Sequence, residues 1–133
     1  MKSLQTIYFV DDDPSARRGL TNLLTSANYN VEMFSSLGDF FQIKLIDTNA
    51  CLVMDAWVSD LSGKDLHAVF AKKKINIPII LLSARDNKKS RDKAHAAHAA
   101  GFFRKPIDGP ALLDAIAWAL EKQSLSFTSK ARI

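Results

Sequence analysis

The chain has 133 residues, 47% apolar and 24% charged, with a formal net charge of +4. A single domain is expected at this length; it needs neither disulfide nor structural metal to fold, and the lone cysteine, Cys51, fits a reducing, cytoplasmic setting. No stretch approaches the ~20 apolar residues of a membrane span, and the apolar run at 7–10 meets Asp11, Asp12 and Asp13 at once, which excludes a secretory leader.

That first apolar run predicts a strand near 5–10. Asp13-Pro14 reads as an N-cap followed by proline at the first helical position, and Ala16, Leu20, Leu23, Leu24 and Ala27 share one face of a helix over 14–27. Alternation of polar and apolar residues over 30–34 suits an edge strand, followed by a helix over 37–46. A second unbroken run, 51–54, predicts a buried strand over 50–54. Ser62-Gly-Lys-Asp65 resembles a capping box and opens a helix over 63–74. The third run gives a strand over 78–82, Asp86 opens a helix over 86–99, and 101–104 is a short edge strand. Asp108 opens the last helix, 109–123, with Leu112, Leu113, Ile116 and Leu120 on one face. The Ser/Lys-rich residues 124–133 are read as a poorly ordered tail, or as the start of a linker to an absent effector domain. Of the 14 acidic residues 12 are Asp, a residue suited to caps, turns and metal sites rather than helix interiors.

Five alternating βα units imply a single three-layer α/β domain. Three buried and two edge strands fit a five-stranded parallel sheet in the flavodoxin-like order 2-1-3-4-5, flanked by five helices. Ligands bind such sheets at the carboxyl ends of the strands. There the sequence places Asp11, Asp12 and Asp13 after the first strand, Asp55 after the third, Ser83 after the fourth, and Lys105-Pro106 after the fifth. Clustered carboxylates without a counter-charge repel and take up protons. A divalent cation removes that cost, and oxygen-only ligands select Mg²⁺ or Mn²⁺. An ammonium beside such a site is what an incoming phosphoryl group needs.

With these residues placed, the chain resembles the receiver domain of two-component response regulators. The matching segments are Val10-Asp-Asp-Asp-Pro14, Leu52-Val-Met-Asp55, Leu61-Ser-Gly63, Ile80-Leu-Leu-Ser-Ala84 and Phe102-Phe-Arg-Lys-Pro106. The spacings agree too: 43 residues from Asp12 to Asp55, 8 from Asp55 to Gly63 and 22 from Ser83 to Lys105. The resemblance covers about residues 5–123 and implies residues 1–123 as the receiver. It implies Asp55 as the acceptor of a phosphoryl group from a sensor histidine kinase or phosphotransfer protein. Asp12 would bind the metal directly, Asp11 beside it through water, and Asp55 and the Trp57 backbone carbonyl would complete the protein ligands. Ser83, the Ala84 backbone and Lys105 would hold the phosphoryl oxygens. Phe102 would follow Ser83 as the switch residue, and the bond before Pro106 would be cis. The helix over 86–99, the fifth strand and the last helix would form the output face. There a phosphorylation-dependent homodimer could assemble, and DNA would be reached only through an effector domain regulating transcription.

This chain departs from the family pattern after the acceptor, with Val58-Ser59 where Met-Pro is frequent, so the loop there is expected to be less restrained. Bulky Trp57 and basic Arg85 flank the expected path of the hydrolytic water and bear on phosphoryl lifetime. Asp13 reads as a helix cap, Cys51 as an inert core thiol, and Lys72-Lys-Lys74 as a solvated helix end. His95 and His98 lie one turn apart and could form half of a metal site, for which no third ligand has suitable spacing. Residues 85–105 carry seven basic residues against Asp86 and Asp92. Without interleaved aromatics or a DNA-reading motif, that patch suits a protein partner better than direct nucleic-acid binding. The enzyme alternative is a haloacid-dehalogenase-like phosphohydrolase using Asp11 and Asp13; it lacks a later acidic pair and leaves Asp55 unexplained. Within the receiver reading the chain is either a single-domain phosphorelay protein or part of a transcription regulator, and its ending at Ala131-Arg-Ile133 favours the latter.

Overall fold

The elements alternate along the chain as β1 (Thr6–Val10), α1 (Pro14–Ser26), β2 (Asn30–Phe34), α2 (Leu37–Phe41), β3 (Ala50–Asp55), α3 (Gly63–Lys72), β4 (Ile79–Ser83), α4 (Lys88–Ala96), β5 (Gly101–Arg104) and α5 (Gly109–Ala131). They come from a computed structural model that describes residues 5–45 and 48–131, the last eight as backbone only. The strands pair in parallel in the order β2-β1-β3-β4-β5, as the sequence predicts.

Every residue of β1 and β4 is buried, and so is β3 up to Met54. Their side chains alternate between two separate cores, because successive strand residues face opposite sides of a sheet. Tyr8, Val10, Leu52, Met54 and Leu81 meet Leu37, Phe40, Leu66, Phe70 and Ala94 beneath α2, α3 and α4. Ile7, Phe9, Val53, Ile80 and Leu82 meet Leu20, Leu24, Leu112, Ile116 and Leu120 beneath α1 and α5. Continuous apolar runs are therefore what a sheet covered on both faces requires.

The caps explain most helix starts. The Asp13 carboxylate accepts the Ser15 N–H at 2.9 Å, Ser62 accepts the Asp65 N–H at 3.0 Å, and Asp108 accepts the Ala111 N–H at 3.1 Å. Three expected spans need correction. Instead of running over 37–46, α2 stops at Phe41. Ile43 and Leu45 both pack on the core beside Phe40, a two-residue spacing that an extended chain provides and a helix does not; residue 46 lies outside the described residues. Rather than 86–99, α4 spans Lys88–Ala96 with Asn87 as its N-cap, because the Asp86 carboxylate is turned to the Arg91 guanidinium at 2.6 Å. Its end is set by His98, whose φ of 58° leaves the helical region. Finally, α5 does not end at 123: residues 124–131, expected to be poorly ordered, continue the helix. No glycine or proline lies between Ala111 and Ala131 to stop it. The remaining boundaries agree within a residue or two.

Cys51 is fully buried in the α1/α5 core, and burial pushes its thiol up to about 12. The folded chain is thus expected to leave a disulfide-exchange reagent unreacted at pH 8, while one thiol reacts promptly in denaturant. Rapid titration of the native thiol would contradict this packing.

Candidate phosphoryl-transfer site

The sheet register builds the site. Val10 pairs with Met54, so the next residues, Asp11 and Asp55, emerge side by side from the two central strands. Ser83 pairs with Arg104, and the Lys105 N–H donates to the Ser83 carbonyl at 2.8 Å, which sets Lys105 one step beyond β5. The Lys105–Pro106 bond is cis, as the resemblance implies.

Lys105 joins the two carboxylates. Its Nζ donates to Asp11 Oδ2 at 2.7 Å and to Asp55 Oδ2 at 2.8 Å. Burial alone pulls this ammonium down, but the hydrogen bonds and charges of Asp11 and Asp55 outweigh it and raise it above the ordinary 10.5. Asp11 is fully buried, and its other oxygen accepts the Asp13 N–H at 2.9 Å. The second Asp55 oxygen accepts the Trp57 N–H at 2.7 Å. The counter-charge that the carboxylates need is therefore a side chain of the chain itself, and the expected repulsion in the absence of metal is corrected accordingly.

Asp12 is exposed at the rim beside Asp11, and Ala84 is exposed just after Ser83. Phe102 is half-buried against the α2/α3/α4 core. Ser83 is fully buried, but its hydroxyl does not reach Asp55 or Lys105. It bonds to Ser90 Oγ at 3.2 Å and accepts the Arg85 N–H at 3.1 Å. Asp13 is exposed, and its carboxylate caps α1.

The donor set suits Mg²⁺. Among the described residues no three acidic, His or Cys side chains form a ready ligand group. Mg²⁺ does not need one, since it keeps several waters and takes one or two carboxylates. Two carboxylate oxygens held within hydrogen-bond reach of one nitrogen, with a third carboxylate adjacent in sequence, meet that requirement. The histidines do not: the His98 ring stacks on His67 at 4.0 Å with 17° between planes, rather than joining His95.

Two participants escape sequence reasoning. Ser90 is buried behind Ser83, and Lys93, counted in the basic patch, is buried with its Nζ donating to the Ser59 carbonyl at 3.0 Å. The signal for Ser90 was available, for it is the one uncharged residue in Lys88-Lys-Ser-Arg-Asp-Lys93. The loop after Asp55, expected to be loose without proline, is thereby held by α4. The exposed basic patch shrinks as well, because Lys88 pairs with Asp92 and Arg91 with Asp86.

Such a sheet, with two carboxylates and a lysine gathered at its carboxyl edge, defines a class. Residues 7–117 match the response regulator receiver domain, and the chain belongs to that family of two-component signalling domains, which are not classical enzymes. It is 35% identical over 116 residues to nodulation protein W of Bradyrhizobium diazoefficiens, across 87% of this chain and 51% of that one. It is likewise 35% identical over 115 residues to the transcriptional regulatory protein TdiR of Thauera aromatica, across 86% and 51%. The solved structure of the response regulator StyR superposes with a TM-score of 0.82 at 32% identity, covering 98% of this chain and 66% of that one. The chain spans about half the length of the curated relatives it matches. No described helix is long and apolar enough to cross a membrane.

Proposed function

We propose that Asp55 accepts a phosphoryl group from the phosphohistidine of a cytoplasmic sensor kinase or phosphotransfer protein. The observation that supports this is the Lys105 ammonium shared by Asp11 and Asp55 at 2.7 and 2.8 Å. An Asp55 oxygen attacks phosphorus, the P–O bond forms as the P–N bond to the donor imidazole breaks, and an acyl phosphate results. Asp11, Asp12, Asp55 and the Trp57 carbonyl would hold Mg²⁺ or Mn²⁺, which when bound draws charge from the phosphoryl oxygens. Lys105, Ser83 and the Ala84 N–H bind those oxygens. Because a phosphoryl group adds ~1.5–2 negative charges and three acceptors, the state in which Ser83 and Lys105 turn toward it gains population. Phe102 follows Ser83, and the changed surface comprises α4, β5 and α5, where a second copy of the chain docks.

Residues beyond 123 lead toward an effector domain that regulates transcription and alone contacts DNA. In support, the relative TdiR is a transcriptional regulatory protein of which the matched residues make up 51%.

Intact-mass measurement after incubation with acetyl phosphate and Mg²⁺ tests the reading. One phosphoryl group per chain is expected, with Asp12→Ala shifting the Mg²⁺ dependence to higher concentration. An unlabelled chain that steadily releases phosphate would be a phosphohydrolase instead.

A further inference from the structure

We propose that Ser90, the third residue of α4, is a positioning residue that holds the Ser83 hydroxyl and the Trp57 indole in one hydrogen-bonded chain, tying Ser83 to α4 until a phosphoryl group takes it. The inference rests on the phosphoacceptor reading above and adds a residue outside the site.

The chain is explicit in the geometry. The Trp57 Nε1–H donates to Ser90 Oγ at 3.1 Å, and Ser90 Oγ lies 3.2 Å from Ser83 Oγ. An indole N–H only donates, so Ser90 must be the acceptor at that link. On the far side the Arg85 N–H donates to Ser83. Each serine oxygen thus already accepts one hydrogen bond, and the hydroxyl proton of one of the two fills the link between them. Whichever serine gives that proton, the Ser83 oxygen is tethered to α4 instead of to Asp55 or Lys105. Both hydroxyls are buried, so water offers no easy substitute.

The indole end is also gripped by α4. The Lys93 ammonium lies 4.3 Å from the Trp57 ring centroid and that of Lys89 5.2 Å, while Lys93 also holds the Ser59 carbonyl. A Cβ at Gly63 would overlap the Lys93 carbonyl oxygen, so α4 lies directly against the start of α3 and the loop before it. Drawing Ser83 toward a phosphoryl oxygen stretches the link to Ser90 and loosens the indole. Occupancy at Asp55 then reaches α4 and the loop after Asp55 in one step. Losing the Ser90 hydroxyl removes a bond made in the resting state and not in the occupied one, and so favours the occupied one.

Trp118 is exposed on α5, so Trp118→Phe leaves Trp57 as the single indole reporter. In that background Ser90→Ala is expected to increase acrylamide quenching of Trp57 in the resting chain. It should also tighten beryllofluoride binding with Mg²⁺, followed by ¹⁹F NMR, about five-fold, the weight of one neutral hydrogen bond. The parent should show the Trp57 emission change only when beryllofluoride binds; the Ser90→Ala chain should show most of it beforehand. Equal affinity and an unaltered Trp57 response in both would overturn the relay while leaving the phosphoacceptor reading intact. Failure of beryllofluoride to bind either protein would remove the reading on which the relay rests, and the relay with it.

Discussion

Replacing Lys105 with methionine is expected to destabilise the metal-free domain by about 3 kcal/mol at neutral pH, the low end for breaking a buried ion pair on one side. Asp11 is fully buried, and its carboxylate would keep only the Asp13 N–H as a donor. The low end applies because Lys105 itself retains 22% exposure, so water relieves part of the loss. The remedy should be specific. Millimolar Mg²⁺ should stabilise Lys105→Met more than the parent, since a divalent ion supplies the missing positive charge to the same oxygens. The pH dependence follows from the raised Lys105 value. The stabilisation is fully present below the ordinary lysine value of 10.5 and is lost as pH rises through the higher folded-state value. Urea unfolding should therefore show the gap between parent and variant persisting up to the ordinary lysine value and narrowing in strongly alkaline solution. Equal stability of the two proteins at neutral pH would mean that the bridge carries no weight.

Asp55→Asn should abolish labelling by acetyl phosphate yet change stability by about 1 kcal/mol or less. The amide keeps the shape of the carboxylate and an oxygen that can accept the Trp57 N–H, now made at 2.7 Å. It lacks the nucleophilic carboxylate. Lys105 keeps its bond to Asp11, so no buried charge is left alone. A carboxylate cluster lacking a counter-charge would instead gain stability on losing one member; the lysine bridge removes that gain. Mass spectrometry of the treated variant, with urea unfolding alongside, checks both halves. A phosphoryl group still appearing would move the acceptor to another carboxylate, with Asp11 the first to examine.

The strands, their order and the row of site residues were legible because they depend on local patterns. Unbroken apolar runs at 7–10, 51–54 and 79–82 mark strands buried on both faces, and whatever follows such a strand must emerge at the sheet's carboxyl edge. Asp11, Asp55, Ser83 and Lys105 could thus be placed from chain position alone. Contacts between distant segments decided the rest. The Lys105 bridge spans 94 residues to Asp11 and 50 to Asp55, and only the register of β5 on β4 delivers the ammonium between them. Ser90 lies 33 residues from Trp57, and the packing of α4 on α3 is what makes its small hydroxyl a link rather than a surface residue. Helix ends followed the same division. Asp13, Ser62 and Asp108 cap through bonds two or three residues away and could be read directly. The end of α2 could not, because Ile43 and Leu45 leave the helix to fill a core assembled from Tyr8, Phe40 and Phe70. A residue's neighbours in sequence determine its backbone preferences, but which charge it faces depends on where the folded sheet sets the other strands.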